Sequence, residues 1–309
     1  MKYLLFFACL CSLKLAVAQD TTIVFENKRM SLPEVIVRNN FDYKKLIKQI
    51  KEDTTFYKAF KTLRILNYSS FNDIQMLDKQ GRKKASLFSR TQQIRNNGCR
   101  TMKVLQEETT GDFYTTDHDY NYFTGKLYAS LFFTEGKICN ETNIVGGVQP
   151  STDNVSGLEK HKQQLKMLFF NPGKRIPGIP FIGNKLDLYD GKAHKLYNYR
   201  LDQQEYDGKS CYVFSITPKD DLGPMRDDVV VDSMSTWFDE KNLEVLRRNY
   251  SLSYKAGLYD FDVSMEVEMT HYHNLLVPKV LRYKGNWDII LKKRERGVFT
   301  ATLFNFSKE

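Results

Sequence analysis

His271 and His273 are the pair best placed for metal chemistry, because alternate residues of a strand share a face and two imidazoles at that spacing can ligate one ion. The other histidines, His118, His161 and His194, fall in separate segments, and neither an H-E-x-x-H pair nor a cysteine partner accompanies them. A rim or core pair is therefore preferred, and no metal is expected. Asp117-His118-Asp119, beside Tyr120 and Tyr122, has the residue types of an acid–base centre but lies between Gly111 and Gly125, so it reads as a hydrated loop. Asp207-Gly208-Lys209-Ser210 contains G-K-S without the upstream glycine of a phosphate loop, and its Asp-Gly pair suits a tight hairpin turn. There is no G-x-S-x-G elbow. Trp237 and Trp287, followed by Asp239 and Asp288, have the form of sugar platforms and equally of large core residues. No catalytic residue and no cofactor are assigned. The minor enzymatic alternative is a metal-dependent hydrolase using His271, His273 and a carboxylate, Glu268 or Asp119.

The stronger pattern is apolar. From Phe261 to His273 the odd positions carry Phe261, Val263, Met265, Val267 and Met269, whereas the even ones carry Asp262, Ser264, Glu266, Glu268 and Thr270. One face of this strand is therefore greasy and the other wet. Lys126 to Thr134 and Val298 to Phe306 read as strands apolar on both faces, which would need a cover on each. Residues 169–183, FFNPGKRIPGIPFIG, alternate proline and glycine with apolar side chains and fit neither a regular helix nor a central strand. They read as an apolar cover packed over a sheet edge, with a flap at the mouth of a cavity as the sharper alternative. The candidate ligand contacts are Phe169, Ile176, Ile179 and Phe181 at the mouth of an interior and Val263, Met265, Val267 and Met269 on its lining, where methionine adapts to varied apolar shapes.

These side chains need a frame. Leu46, Ile47, Ile50, Phe56, Tyr57, Phe60 and Leu63 recur at steps of three and four, so residues 41–66 read as amphipathic helix with a capping break at Asp53-Thr54-Thr55. Beyond Asn67 the period becomes two, over Tyr68–Met76, Lys84–Arg90, Thr101–Gln106, Lys195–Gln203, Cys211–Thr217 and most of 228–306. Turns are read at Lys79-Gln80-Gly81, Asp190-Gly191, Asp207-Gly208, Lys284-Gly285-Asn286 and Arg296-Gly297. A further helix is read around Leu158, Leu165, Leu168 and Phe169. Closely spaced hairpins imply an antiparallel meander and exclude a doubly wound α/β fold. Twenty-one phenylalanines and 18 tyrosines against 17 glycines and 8 prolines suit sheets with aromatic faces. The expected fold is α+β, an incomplete antiparallel β-barrel wrapped around a few helices, in one domain over 19–309.

Met1 to Ala18 has Lys2, an apolar stretch and the Ala16-Val17-Ala18 approach of a cleaved secretory signal peptide. A periplasmic or secreted location is expected, with no transmembrane span after cleavage. Losing Lys2 and Lys14 lowers the formal charge from +9 to +7, a balance that favours anionic surfaces without deciding a partner. Nucleic acid is excluded by address. Cys99, Cys139 and Cys211 survive cleavage; their odd number leaves at least one thiol free, and one bridge between any two is left open.

The N-terminal amphipathic helix, the long meander, the Pro-Gly segment and the closing series VVVDSMSTWFDEKNLEVLRRNYSL and LLVPKVLRYKGNWDIIL together resemble the periplasmic lipoprotein-localisation-carrier superfamily, with a likeness to uncharacterised Bacteroidetes proteins within it. The resemblance covers 190–309 in motif order, with Asp239 to Asn242 before Leu246 and Arg247, and Val277-Pro278-Lys279 before a strand. It implies an open barrel around helices and an apolar cavity that receives acyl chains. The functional expectation is a non-enzymatic protein that binds or carries a lipid or a lipidated protein. The alternative is an envelope protein whose sheet presents a surface to envelope partners and holds no ligand.

Overall fold

The computed structural model describes residues 21–25, 28–32, 43–145, 168–170, 172–175, 182–189, 192–256, 259–288 and 294–309. The signal peptide, the helix read around Leu158 and Leu165, the Asp190-Gly191 turn, and Ile176, Ile179 and Phe181 lie outside the described residues.

Strands β1 (Thr21–Phe25) and β2 (Lys28–Leu32) form a hairpin of their own. The remaining strands make one sheet of eleven: β3 (Asn67–Leu77), β4 (Lys83–Asn96), β5 (Cys99–Thr110), β6 (Ile138–Cys139), β7 (Tyr197–Tyr206), β8 (Lys209–Pro218), β9 (Val231–Asp239), β10 (Val245–Ala256), β11 (Tyr259–Tyr272), β12 (Leu275–Asp288) and β13 (Glu295–Ser307). Their spatial order is β6-β5-β4-β3-β13-β12-β11-β10-β9-β8-β7, antiparallel throughout. Two meanders, β3 to β5 and β7 to β13, thus join where the last strand lies beside β3. Because β6 and β7 remain as edges, the sheet is an open half-barrel of the α+β class expected from the hairpin spacing.

The hairpins form where two-residue turns can take positive φ, as at Asp207-Gly208 (φ 51° and 71°) and Asn97-Gly98 (φ 51° and 71°). Lys284-Gly285-Asn286 and Arg296-Gly297 are not turns. Gly285 lies inside β12 and faces Gly297 of β13. A Cβ on Gly285 would fall 2.1 Å from the Tyr283 hydroxyl, so the missing side chain makes room for that ring over the strand.

Helices α1 (Tyr43–Glu52) and α2 (Thr55–Thr62), two 3₁₀ segments (Leu63–Ile65 and Gly223–Asp228), α3 (Phe123–Phe132) and α4 (Ala193–Leu196) accompany the strands. Lys126 to Thr134 is therefore helix rather than strand. In so apolar a run the two periods overlap, and burial of Phe123, Leu127, Tyr128 and Phe132 at helical spacing identifies the one that folds. Lys195 and Leu196, read as strand, close α4.

The helices lie on one face of the sheet, α2 over β12 and α3 over β13. A single line of register crosses that inner face as Leu201, Phe214, Thr236, Arg248, Val267, Leu281, Ala301, Asn72 and Ser89, all buried, before Glu107 emerges on β5. The outer face has no helical cover among the described residues, so the expectation of two covered faces is corrected. Outward side chains include Arg247, Glu266, Arg282 and Glu268, linked at 3.3, 3.7 and 2.5 Å. Val298 to Phe306 is likewise apolar inside only up to Leu303; Phe304 faces out, and a bulge with Asn305 at φ 54° turns Phe306 back onto Tyr68 at 6.3 Å between rings. Cys99 and Cys139 form a disulfide directly across β5 and β6, and Cys211 is free and buried.

Candidate functional site

The inner face of β10 to β12 brings the expected lining residues together. Phe261, Val263, Met265, Val267 and Met269 all project inward from β11 and are buried, beside Tyr250 and Leu252 of β10 and Leu281 and Tyr283 of β12. The strand's period of two, with Asp262, Ser264, Glu266 and Glu268 turned away, makes this row. Phe169 lies above it, with its ring 5.1 Å from Tyr283. The Tyr250 hydroxyl is 2.9 Å from both the Phe169 carbonyl, to which it donates, and the Met265 Sδ. Burial pushes the Tyr250 hydroxyl well above its ordinary pKa, so it remains a donor at neutral pH. Rings continue inward: Tyr283 stacks on Phe299 at 4.5 Å, Phe299 meets Tyr128 at 4.1 Å, and Phe170 meets Phe60 at 4.7 Å.

One ion pair interrupts this apolar wing. Arg248, on the inner face of β10, donates from Nε to the Thr236 hydroxyl at 2.9 Å and from Nη2 to Asp53 Oδ2 at 3.4 Å, with its guanidinium 4.4 Å over the Phe56 ring. Asp53 stands at the break between α1 and α2, where its other oxygen accepts from the Thr55 amide at 2.8 Å. Asp53 therefore caps α2 from outside, and Thr54 makes no side-chain cap bond. Lys174 donates to the Asp53 carbonyl at 3.1 Å, which ties the segment after Phe169 to the same break. Burial lowers the Lys174 pKa, and Asp53 pulls the other way.

Part of the inner face of β3 and β4 differs in kind: beside the buried Ile74, Met76, Ala85 and Leu87 it carries a polar cluster that the sequence reading did not single out. Ser70 and Thr91 share a hydrogen bond of 2.7 Å, Asn72 donates to Ser70 and Ser89 at 3.2 and 3.3 Å, and the Tyr128 hydroxyl donates to Asn72 Oδ1 at 3.1 Å. Gln93 donates to the Leu63 and Leu66 carbonyls, both at 2.7 Å, and accepts from Thr134 and Arg100, both at 3.1 Å. The detectable signal was the even series Ser70, Asn72 on β3 opposite the odd series Ser89, Thr91, Gln93 on β4. Because the helices cover that side, these polar side chains are buried and must pair with one another.

The residues considered for catalysis are dispersed. His271 lies 2.9 Å from Glu244, whereas β11 ends at Tyr272 and His273 adopts φ 53° in the turn, so the two imidazoles share no strand face. Among the described residues no group of three His, Cys, Asp or Glu side chains could hold a metal. Asp117-His118-Asp119 is an exposed loop closed by the Thr115 amide on the Asp119 carbonyl at 2.8 Å. Trp287 is buried 5.2 Å from Phe261 and donates to Tyr283, and Trp237 lies on the outer face under the Arg247 guanidinium at 5.2 Å.

No family model matches the sequence, and no curated protein matches it. Among solved structures the chain is similar to a Vibrio parahaemolyticus domain described as outer membrane lipoprotein-sorting, at 11% identity over 84% of this chain and 93% of that one, with TM-score 0.30. It is also similar to a DUF1329 family protein from Desulfovibrio piger, at 11% identity over 86% of this chain and 91% of that one, with TM-score 0.27. Likenesses of that size define neither family nor ligand. No helix among the described residues is long and apolar enough to cross a membrane.

Proposed function

We propose that the protein is an exported, non-enzymatic carrier that holds an apolar ligand, the acyl chain of a lipid or a lipidated protein, against the inner face of β10 to β12 beneath Phe169 and its neighbours. The observation that supports this is the contrast between the two wings. Over β3 and β4 the covering elements are fixed by directional hydrogen bonds to Asn72 and Gln93. Over β10 to β12 the Asp53–Arg248 pair fixes the break between α1 and α2, whereas the cover around Phe169 rests on apolar contact with the Tyr250 and Lys174 bonds beside it. Apolar contact has no preferred direction, so an acyl chain can take the place of Phe169 above Val263, Met265, Val267 and Met269 at little cost in burial. Ile176, Ile179 and Phe181 belong to the same proposal as mouth residues. The signal-peptide pattern and the Cys99–Cys139 disulfide support a periplasmic or secreted location, where such bridges persist.

Native mass spectrometry of detergent-free protein tests the proposal. The expected result is co-purifying lipid, together with saturable binding of a fluorescent long-chain fatty acid that Val267→Trp weakens by about tenfold or more through filling the row. Protein that is consistently empty and binds no probe would overturn it and favour the ligand-free envelope scaffold.

A further inference from the structure

The outer edge of β5 is unusually open. β6 pairs only with Cys99 and Arg100, and among the described residues nothing pairs with the outer edge of β5 from Thr101 to Thr110. The strand is exposed from Lys103 to Thr110, with Val104 at 58% and Leu105 at 49%. Phe71, 40% exposed, is nearby on the outer face, two strands in along the line Gln106, Arg90, Phe71. An edge with apolar side chains and a row of free N–H and C=O groups is a template for another strand.

We propose that this edge pairs with the same edge of a second copy of the chain, forming an antiparallel two-fold dimer. A two-fold axis through the middle of the free stretch, between Leu105 and Gln106, sets Thr101 opposite Thr110, Met102 opposite Thr109, Lys103 opposite Glu108, Val104 opposite Glu107 and Leu105 opposite Gln106. Lys103 thus meets Glu108 twice, once on either side of the axis, while Glu107 lies opposite the uncharged Val104. The faces also match. Lys103 stands opposite Gln92 and Glu108 opposite Phe88, both outward on β4, whereas Val104 and Glu107 stand opposite Thr91 and Ser89, both inward. In a regular strand, residues five apart would face opposite sides. The extra residue at Leu105, where the β4–β5 register slips between Arg90 and Thr91, brings Lys103 and Glu108 to one side. Lys103 and Glu108, which would repel like-charged strands from this edge, are thus arranged to accept its own copy.

Sedimentation at low ionic strength tests the dimer. Wild-type protein is expected to show a mass that rises with concentration toward that of two chains. Lys103→Glu and Glu108→Lys should each weaken self-association by roughly tenfold or more, because like charges then face each other twice. An equimolar mixture of the two variants should dimerise again, since each carries the complement of the other, an outcome that a misfolded variant cannot produce. Wild-type protein that stays monomeric up to about 0.5 mM, where even a millimolar contact would show, overturns the proposal. So does a mixture no more associated than its components.

Discussion

The carboxylate of Glu295, the first residue of β13, caps a helix that precedes it by 171 positions: its Oε2 accepts both the amide and the hydroxyl of Thr124 at 2.8 Å, and Oε1 accepts the Phe123 amide at 2.9 Å. Tyr122, at the N-cap position of α3, makes no side-chain cap bond, so a strand residue performs that task. Glu295→Ala should therefore lower stability by about 1–2 kcal/mol, read as a lower midpoint in a urea titration with unchanged slope. Glu295→Gln, which keeps an acceptor and loses the charge at the helix start, should fall between the two.

The Asp53–Arg248 pair predicts an asymmetry. Asp53→Asn keeps an oxygen to cap Thr55 but leaves the buried guanidinium without its counter-charge, and should cost about 3–5 kcal/mol. Adding Arg248→Met should recover most of that loss, because the charge then leaves with its partner. Denaturant midpoints of the two singles and the double would give the coupling directly.

Alkaline pH should act through buried tyrosines. Burial pushes the Tyr68 hydroxyl up to about 12 and raises the Tyr128, Tyr250 and Tyr283 hydroxyls well above their ordinary value. Since these pKa values are raised above the unfolded value near 10, the associated stability is complete below pH 10 and is lost as pH rises from about 10 through 12 and beyond. Absorbance titration at 295 nm should show exposed tyrosines ionising first and the buried set only on unfolding, whereas a single transition near pH 10 in folded protein would contradict this.

The Cys99–Cys139 bridge closes a stretch of 40 positions. Cys139→Ser is expected to lose about 2–4 kcal/mol, with about 4 as the chain-entropy ceiling for a loop of that length. Thiol counting on unfolded, unreduced protein beginning at Gln19 should find one reactive group, Cys211, and three after reduction.

What the sequence could reveal followed the period of its apolar residues. The β11 row was readable because Asp262, Ser264, Glu266 and Glu268 alternate strictly with it, and the antiparallel meander because runs of period two recur along the chain, with turns correctly read at Lys79-Gln80-Gly81 and Asp207-Gly208. α3 was misread because nearly every residue between Leu127 and Phe133 is apolar, which removes the contrast that separates a period of two from one of 3.6. Gly285 and Gly297 were misread because glycine signals a turn or a close approach equally well, and only the Tyr283 ring distinguishes them. The polar wing was hidden for a different reason. Ser70, Asn72, Ser89 and Thr91 look solvent-facing until α3 is known to lie over them, and that depends on contacts distant in the chain. The same holds for Asp53 with Arg248 and for Glu295 with Thr124.

The meeting of β13 with β3 sets an order of events for the molecule. Asn67 pairs with Ser307, 240 positions downstream, so β3 cannot acquire its second neighbour until the chain through Ser307 has been made. The early meander must wait with one flank bare, vulnerable to mispairing, and its completion should be slow and favoured by whatever keeps nascent chains apart. For a chain threaded outward through a membrane, that places the final knitting of the sheet on the far side, after passage is over.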